Sequence, residues 1–222
     1  MSGISYYLNK ETFEMKRIYH YTTLESIKCI LSNATLRLNA LSGMDDLLEG
    51  GSIDFGDMAK YYYVSSWTCD DKENIPLWYM YTNELRGVRI EADETFVTLD
   101  EDEKSIIKNI TDTTLIAYRV SCGKDNSFLV PVIYTDEYES CIDGYRGYIN
   151  DRYNNVGRNK PTDWEFQKGV RFRIYGINKK YLASFGDNNF IKFSNSIINK
   201  KPNDIKYADI KFKINNLQML IS

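Results

Sequence analysis

A single histidine, four prolines and four scattered cysteines limit what this 222-residue chain can do before any pattern is read. With His20 alone, a Ser-His-Asp or Cys-His relay or a histidine-rich metal site must use that residue or be excluded. Cys29, Cys69, Cys122 and Cys141 form no CxxC pair, which argues against a zinc site and a dense disulfide framework. No metal is expected. No apolar run reaches the roughly 18 residues that cross a bilayer. The stretch from Met1 to Lys10 lacks a basic segment followed by an apolar one, so a signal peptide is not expected. These absences predict a reduced, cytoplasmic protein with no membrane partner. Also missing are G-x-G-x-x-G after a strand, G-x-x-x-x-G-K-[ST], H-E-x-x-H and G-x-S-x-G. Rossmann dehydrogenases, P-loop NTPases, zincins and α/β-hydrolases therefore have no support.

What is present is an ordinary globular composition with uneven charge. Hydrophobic residues make up 43% of the chain, enough to bury a core, and the 27% charged residues suit a solvated surface. A net charge of -3 argues against a protein that coats nucleic acid. Residues 91–103 hold Glu91, Asp93, Glu94, Asp100, Glu101, Asp102 and Glu103 with no basic residue, whereas Lys192, Lys200, Lys201, Lys206, Lys211 and Lys213 crowd the C-terminal stretch. Both read first as solvated faces. Eighteen tyrosines offer stacking faces for a base or nucleotide. No repeat or Gly/Ser/Pro-rich linker marks a boundary, so residues 1–222 read as one domain.

The segment Arg17-Ile18-Tyr19-His20-Tyr21-Thr22 reads as a short strand. Thr22-Thr23-Leu24-Glu25 then fits the capping box S/T-x-x-E, predicting a helix with Leu24, Ile27 and Leu31 on one side and Asn33 at its end. Thr35 to Asn39 alternates as a strand, and a turn-rich stretch runs from Ser42 to Gly56. The aromatic and β-branched run from Tyr61 to Thr68 predicts another strand. An acidic loop, Asp70 to Asn74, precedes a short helix from Pro76 to Tyr81, with proline in its favoured first turn. Gly87 to Ile90 opens a strand. Further strands are expected at 114–121, 128–135, 166–176 and 206–213, with helical pieces near 102–110 and 136–155. Strands dominate and helices are scattered between them, the pattern of an α+β fold.

Four segments, taken in order, carry a resemblance. They are Ile18-Tyr19-His20-Tyr21-Thr22-Thr23-Leu24-Glu25-Ser26 with Leu36-Arg37-Leu38; Met44-Asp45-Asp46-Leu47-Leu48-Glu49-Gly50, similar to M-N-D-P-x-E; and Val64-Ser65-Ser66-Trp67-Thr68 with Asn74 to Tyr81 and Gly87 to Ile90. The last is Lys160 with Trp164-Glu165-Phe166-Gln167-Lys168-Gly169-Val170-Arg171, similar to W-x-Y-Q/E-K-E-x-R. Together they resemble a large bacterial family whose core looks like an ADP-ribosyltransferase. The resemblance covers about residues 17–176, leaving 177–222 as a C-terminal extension. It implies a split, strand-rich NAD-binding sheet and transfer of ADP-ribose from NAD to a macromolecular acceptor, protein or nucleic acid. It also implies a toxin or phage-defence setting, with an antitoxin or chaperone as a further partner.

By that resemblance His20 would donate to a ribose hydroxyl of NAD, and Tyr21 and Thr22 would line the same pocket. Ser66 and Thr68 would support the nicotinamide end, with Trp67 stacking or packing. Trp67 and Trp78 read first as core aromatics, and Asp46 and Glu49 as residues that cap or orient a loop. Arg37 and Arg89 divide between surface pairing and binding the pyrophosphate.

The catalytic glutamate of the resembled motif falls at Gly169. If 165–172 is one extended strand, Glu165, Gln167, Gly169 and Arg171 share a face. At about 3.3 Å per residue, Gln167 then lies about 7 Å and Glu165 roughly 13 Å from position 169. Three explanations stand: an inactivated enzyme, a natural pseudoenzyme that still binds NAD or ADP-ribose, or a different register. The first is preferred, since the flanking motif is intact. A non-catalytic interaction module and a nucleic-acid binder using the lysine-rich C-terminus are the other readings.

Overall fold

A computed structural model describes residues 17–46, 49–52, 56–120, 128–136, 156–184 and 203–213. The described fold is α+β, built on a curled antiparallel sheet. Among the described residues, no helix is long and apolar enough to cross a membrane.

Strand β1 (Arg17–Thr22) pairs antiparallel with β6 (Val88–Asp93), from Arg17 opposite Asp93 to Thr22 opposite Val88. Helix α1 (Leu24–Asn33) leads from β1 into β2 (Thr35–Ala40). Its N-cap is Thr23, whose hydroxyl accepts the Ser26 N–H at 3.1 Å. The expected box at Thr22 and Glu25 is therefore displaced by one residue, because Thr22 still belongs to the strand. Ile27 is buried and Leu24 exposed, while Ala34, with φ 50°, turns the chain out of the helix.

The centre of the sheet is β5 (Tyr62–Thr68). Along one edge it pairs with β11 (Gly169–Asn178), from Gly169 opposite Thr68 to Tyr175 opposite Tyr62. Its other edge is shared. Strand β1 meets it at Tyr19 opposite Thr68, and β2 meets it at Asn39 opposite Val64 and Ala40 opposite Tyr63. Between these contacts β1 and β2 part, leaving a notch along Ser65 to Trp67.

Alternation along β11 decides what lies on each side. Val170, Phe172 and Ile174 enter the main core with Trp67, Phe96, Leu36, Leu38 and Ile90. Arg171 and Arg173 point the other way and are also buried. Strand β7 (Leu115–Arg119) continues the sheet along the far part of β11, and β8 (Leu129–Pro131) covers its start. β12 (Tyr207–Lys211) pairs antiparallel with β2, so the sheet draws a strand from beyond residue 176. Two small pairs complete the set: β3 (Gly51–Ser52) with β4 (Gly56–Asp57), and β9 (Ile133–Tyr134) with β10 (Asn159–Lys160).

Several local expectations are corrected. Residues 102–110 form no helix: the Asp102 carboxylate accepts the N–H groups of Lys104 and Ile106, and Ser105 adopts φ 59°, reversing the chain. Isolated bridges tie Glu101 to Ile107 and Ile106 to Tyr118. The strand expected at 128–135 is two, because Val132 leaves the ladder and donates its N–H to the Gly169 carbonyl. Most of the helix expected at 136–155 lies outside the described residues.

The strand expected at 166–176 starts at 169. Residues Thr162–Gln167 wind into a 3-10 helix, and Lys168 closes it with φ 42°. That left-handed residue breaks the alternation on which the shared face of residues 165 to 171 depended.

A candidate ligand cleft at the parting of β1 and β2

A cleft of about 480 Å³ opens at the notch, within the ~300–1,000 Å³ range of small-molecule sites. β1, α1, β2 and β5 form its walls, and Glu49, Tyr81, Lys160, Gln167 and Arg171 close it from below. Helix α2 (Ile75–Tyr81) is set by two caps. The Asn74 side chain accepts the Leu77 N–H at 3.3 Å, and the Tyr21 hydroxyl accepts the Asn74 N–H at 3.0 Å. Thus a β1 side chain fixes the helix that brings Tyr81 into the cleft.

His20 sits in the notch itself. Its Nδ1 lies 2.9 Å from the Ser66 carbonyl oxygen, so Nδ1 carries the proton and donates it. That carbonyl lies on the stretch of β5 edge where neither β1 nor β2 pairs, so a side chain replaces the missing ladder bond. The ring packs on Trp67, with centroids 4.9 Å apart. Burial pushes the His20 pKa below the usual imidazole value, against the opposing pull of the Ser66 carbonyl. The neutral ring then keeps Nε2 as a hydrogen-bond acceptor. In that tautomer a hydroxyl reaching Nε2 would donate to the ring, whereas the resemblance has His20 donating to the hydroxyl.

Trp67 is buried, ringed by Phe96 and Phe172, and its Nε1 donates to the Ser65 hydroxyl at 3.1 Å. It is a core aromatic whose surface also backs the cleft. Ser66 accepts from Arg171 Nε at 3.2 Å. The Thr68 hydroxyl accepts the Asp70 N–H and faces the Lys168 carbonyl. Tyr21 and Thr22 line the cleft, although the Tyr21 hydroxyl already serves α2.

The two arginines that divide between surface pairing and phosphate both have partners within the chain. Arg37 lines the cleft, but its Nε and Nη2 each lie 2.8 Å from an Asp209 oxygen, and its guanidinium lies 3.8 Å above the Tyr207 ring. Arg89 is not brought to the cleft. It donates to the carbonyls of Asp70 and Asp71 and lies 3.9 Å above the Tyr19 ring.

At the floor, Glu49 is held by two cations: Arg171 at 2.7 Å and Lys160 at 2.9 Å, all three side chains at most 7% exposed. The next residue, Gly50, packs directly on Ala59, where a Cβ would meet the Ala59 Cβ at 2.1 Å. Burial pushes the Glu49 carboxyl up, but Arg171 and then Lys160 outweigh it and hold it below the usual carboxylate range. Lys160 is shifted down by burial and by Arg171, against the pull of Glu49. One carboxylate shared by two cations favours the better-placed guanidinium. Lys160 Nζ also donates to Gln167 Oε1 at 3.2 Å, and Gln167 Nε2 donates to the Tyr81 hydroxyl at 3.0 Å.

Gln167, not Gly169, is therefore the member of the Trp164–Arg171 motif that reaches the cleft with Arg171. Gly169 and Glu165 line a separate cavity of about 980 Å³ with Val132, Tyr134 and Phe172. A Cβ at Gly169 would meet the Tyr134 hydroxyl at 2.9 Å and Val132 Cγ2 at 3.1 Å. The Gly169 N–H already donates to that hydroxyl at 2.7 Å. Position 169 thus lines the second cavity and not the cleft.

Sequence reasoning placed no role on Lys160 or Tyr81, and gave Glu49 only a loop-orienting one. The available signal was Arg171 and Arg173 within the apolar, strand-forming run from Val170 to Ile177, where a charge requires a buried partner. Among the described residues, no group of three or more His, Cys, Asp or Glu side chains could hold a metal ion. Comparison with protein families, with curated proteins and with solved structures returns no match to this chain.

Proposed function

We propose that the cleft is the NAD pocket of an ADP-ribosyltransferase-like effector, and that this chain holds the nicotinamide ribose without efficient transfer. The observation that carries the reading is His20, held neutral between the Ser66 carbonyl and Trp67 in a notch between parted strands. An acceptor nitrogen beside an aromatic wall suits a ribose hydroxyl next to a planar ring. The resemblance in four ordered segments supports the same class. It also supports a macromolecular acceptor and a toxin or defence role, with an antitoxin or chaperone as partner.

In such a transfer the bond from C1′ to nicotinamide breaks and its electron pair leaves with nicotinamide. An acceptor nucleophile bonds to C1′ and gives its proton to a base. Gln167 is an amide and cannot take that proton. Glu49 is held ionised by Arg171 and Lys160, which makes it a poor base. Glu25 and Asp45 lie exposed on the cleft wall, without ion-pair partners among the described residues to fix them as a catalytic carboxylate.

The test is to incubate the chain, Gln167→Glu and Gly169→Glu with labelled NAD and a lysate containing protein and RNA. NAD binding by the unaltered chain with label transferred by Gln167→Glu alone is expected. Transfer by Gly169→Glu would overturn the placement of the acidic position at 167. No NAD binding by any of the three would overturn the pocket.

A further inference from the structure

The cavity that Gly169 lines shares no residue with the cleft, and its volume of about 980 Å³ lies at the upper end of the ~300–1,000 Å³ range of small-molecule sites. Its floor is the main core itself. Val97, Leu129, Val170 and Phe172 line it although each is buried. Phe128 adds a second aromatic side chain, its ring centroid 4.9 Å from that of Phe172. An apolar molecule seated here would cover surface continuous with the core.

Two features of the backbone place a polar group in this apolar setting. Val132 leaves the β8 ladder, and the chain resumes as β9, which carries Tyr134 back to the start of β11. Gly169 has no Cβ to hold the phenol away, and its N–H donates to the Tyr134 hydroxyl at 2.7 Å. That bond fixes the direction of the other one. A backbone N–H cannot accept, so the phenol proton has to be donated elsewhere. Among the described residues no group accepts it, and Tyr134 lines the cavity. Burial pushes the Tyr134 phenol up, which keeps it a protonated donor.

Charge selects against an anion. The lining cations are engaged: Lys168 Nζ lies 2.8 Å from Asp70, and Arg119 is bound by both oxygens of Glu101 at 3.0 Å. Glu94 and Glu165 stand on the same lining. A carboxylate ligand would have to displace a partner from one cation and face two like charges. The Cys69 thiol, also on the lining, is pushed up by burial and stays neutral.

We infer that this cavity is a second ligand site, independent of the NAD reading, for a neutral aromatic carbonyl compound whose ring packs on Phe128 and Phe172 and whose oxygen accepts the Tyr134 proton. Benzophenone, geminal diphenylethylene and para-benzoylbenzoate test each part. The first two differ only in C=O against the isosteric C=CH2, and the third adds a carboxylate. Titration of the full chain should show the ketone bound roughly fivefold or more tightly than the alkene, the worth of one hydrogen bond. The carboxylate should bind more weakly than the ketone. Irradiation of bound benzophenone, followed by peptide mapping, should place adducts within residues 128–132 or 169–172. Tyr134→Phe should lower the ketone to the affinity of the alkene and leave the alkene unchanged, which an unfolded variant would not do. Gln167→Glu, an alteration of the cleft, should leave all three affinities as they are. Equal affinity for ketone and alkene, tighter binding of the carboxylate, adducts confined to cleft residues, or binding of no probe would overturn the inference, and none of these outcomes bears on NAD in the cleft.

Discussion

Two arginine–carboxylate pairs flank the same cleft, and their surroundings give them different work. On the β2 side, Arg37 and Asp209 meet across the β12 ladder with Arg37 about half exposed, its side chain at 53%. On the floor, Arg171 and Glu49 are almost sealed, at 2% and 1%. Water competes for the first pair and screens it; the second pair has no such competitor, so its partners depend on each other. An exposed pair trims a surface, whereas a buried one ties the Glu49 loop to β11 and shapes the floor.

The largest expected difference comes from Glu49→Gln, which leaves Arg171 and Lys160 buried without their shared carboxylate. A loss of about 3–5 kcal/mol is expected from urea unfolding. A change under 1 kcal/mol would erase the contrast between the pairs. Lys160→Met should cost less, about 1–2 kcal/mol, because Glu49 keeps Arg171 and mainly the Gln167 acceptor is orphaned. Equal losses for the two variants would mean that Lys160, not Arg171, is the principal partner.

Titration sharpens the comparison further. His20 has a lowered pKa in the fold, so below about 6.5 the unfolded chain binds its proton first and stability falls as pH falls. The slope from one such group is at most about 1.4 kcal/mol per pH unit, and His20→Gln should remove it. Glu49, whose pKa is also lowered, contributes stability above the unfolded carboxylate range and loses it at more acid pH, as pH drops through its folded value. The two windows can be separated by unfolding curves between pH 7 and 3. The smallest effect belongs to Asp209→Ala, expected within about 1 kcal/mol and shrinking further in high salt. A salt-independent loss above 2 kcal/mol would show that the exposed pair behaves like the buried one.

Elements with a strong local signal were readable from sequence. The alternating β2, the aromatic β5, the Asn74–Pro76 start of α2 and the paired β1 and β6 fall within a residue or two of expectation. Where local signals were read one residue or one turn out of place, tertiary or side-chain hydrogen bonds decided. Asp102 bonds its own downstream N–H groups instead of starting a helix, and Thr23 caps α1 while Thr22 stays in its ladder. At the candidate site, His20, Ser66 and Trp67, singled out by the resemblance, line the cleft. Their roles depended on distances that no pattern contains: the Ser66 carbonyl that sets the tautomer, and the Asp209 carboxylate that occupies Arg37. Glu49, Lys160 and Arg171 come from three distant stretches, and only the folded sheet brings them together.

The left-handed residue Lys168 has an energetic consequence as well as a geometric one. It sends its two neighbours into different compartments: the residue before it touches Lys160 and Tyr81, and the residue after it touches Tyr134. Coupling between mutations follows shared partners as well as distance. Gln167 and Gly169, two positions apart in one motif, should therefore behave in a double-mutant cycle like residues from opposite sides of the molecule, so that one cavity can change its chemistry without the other registering it.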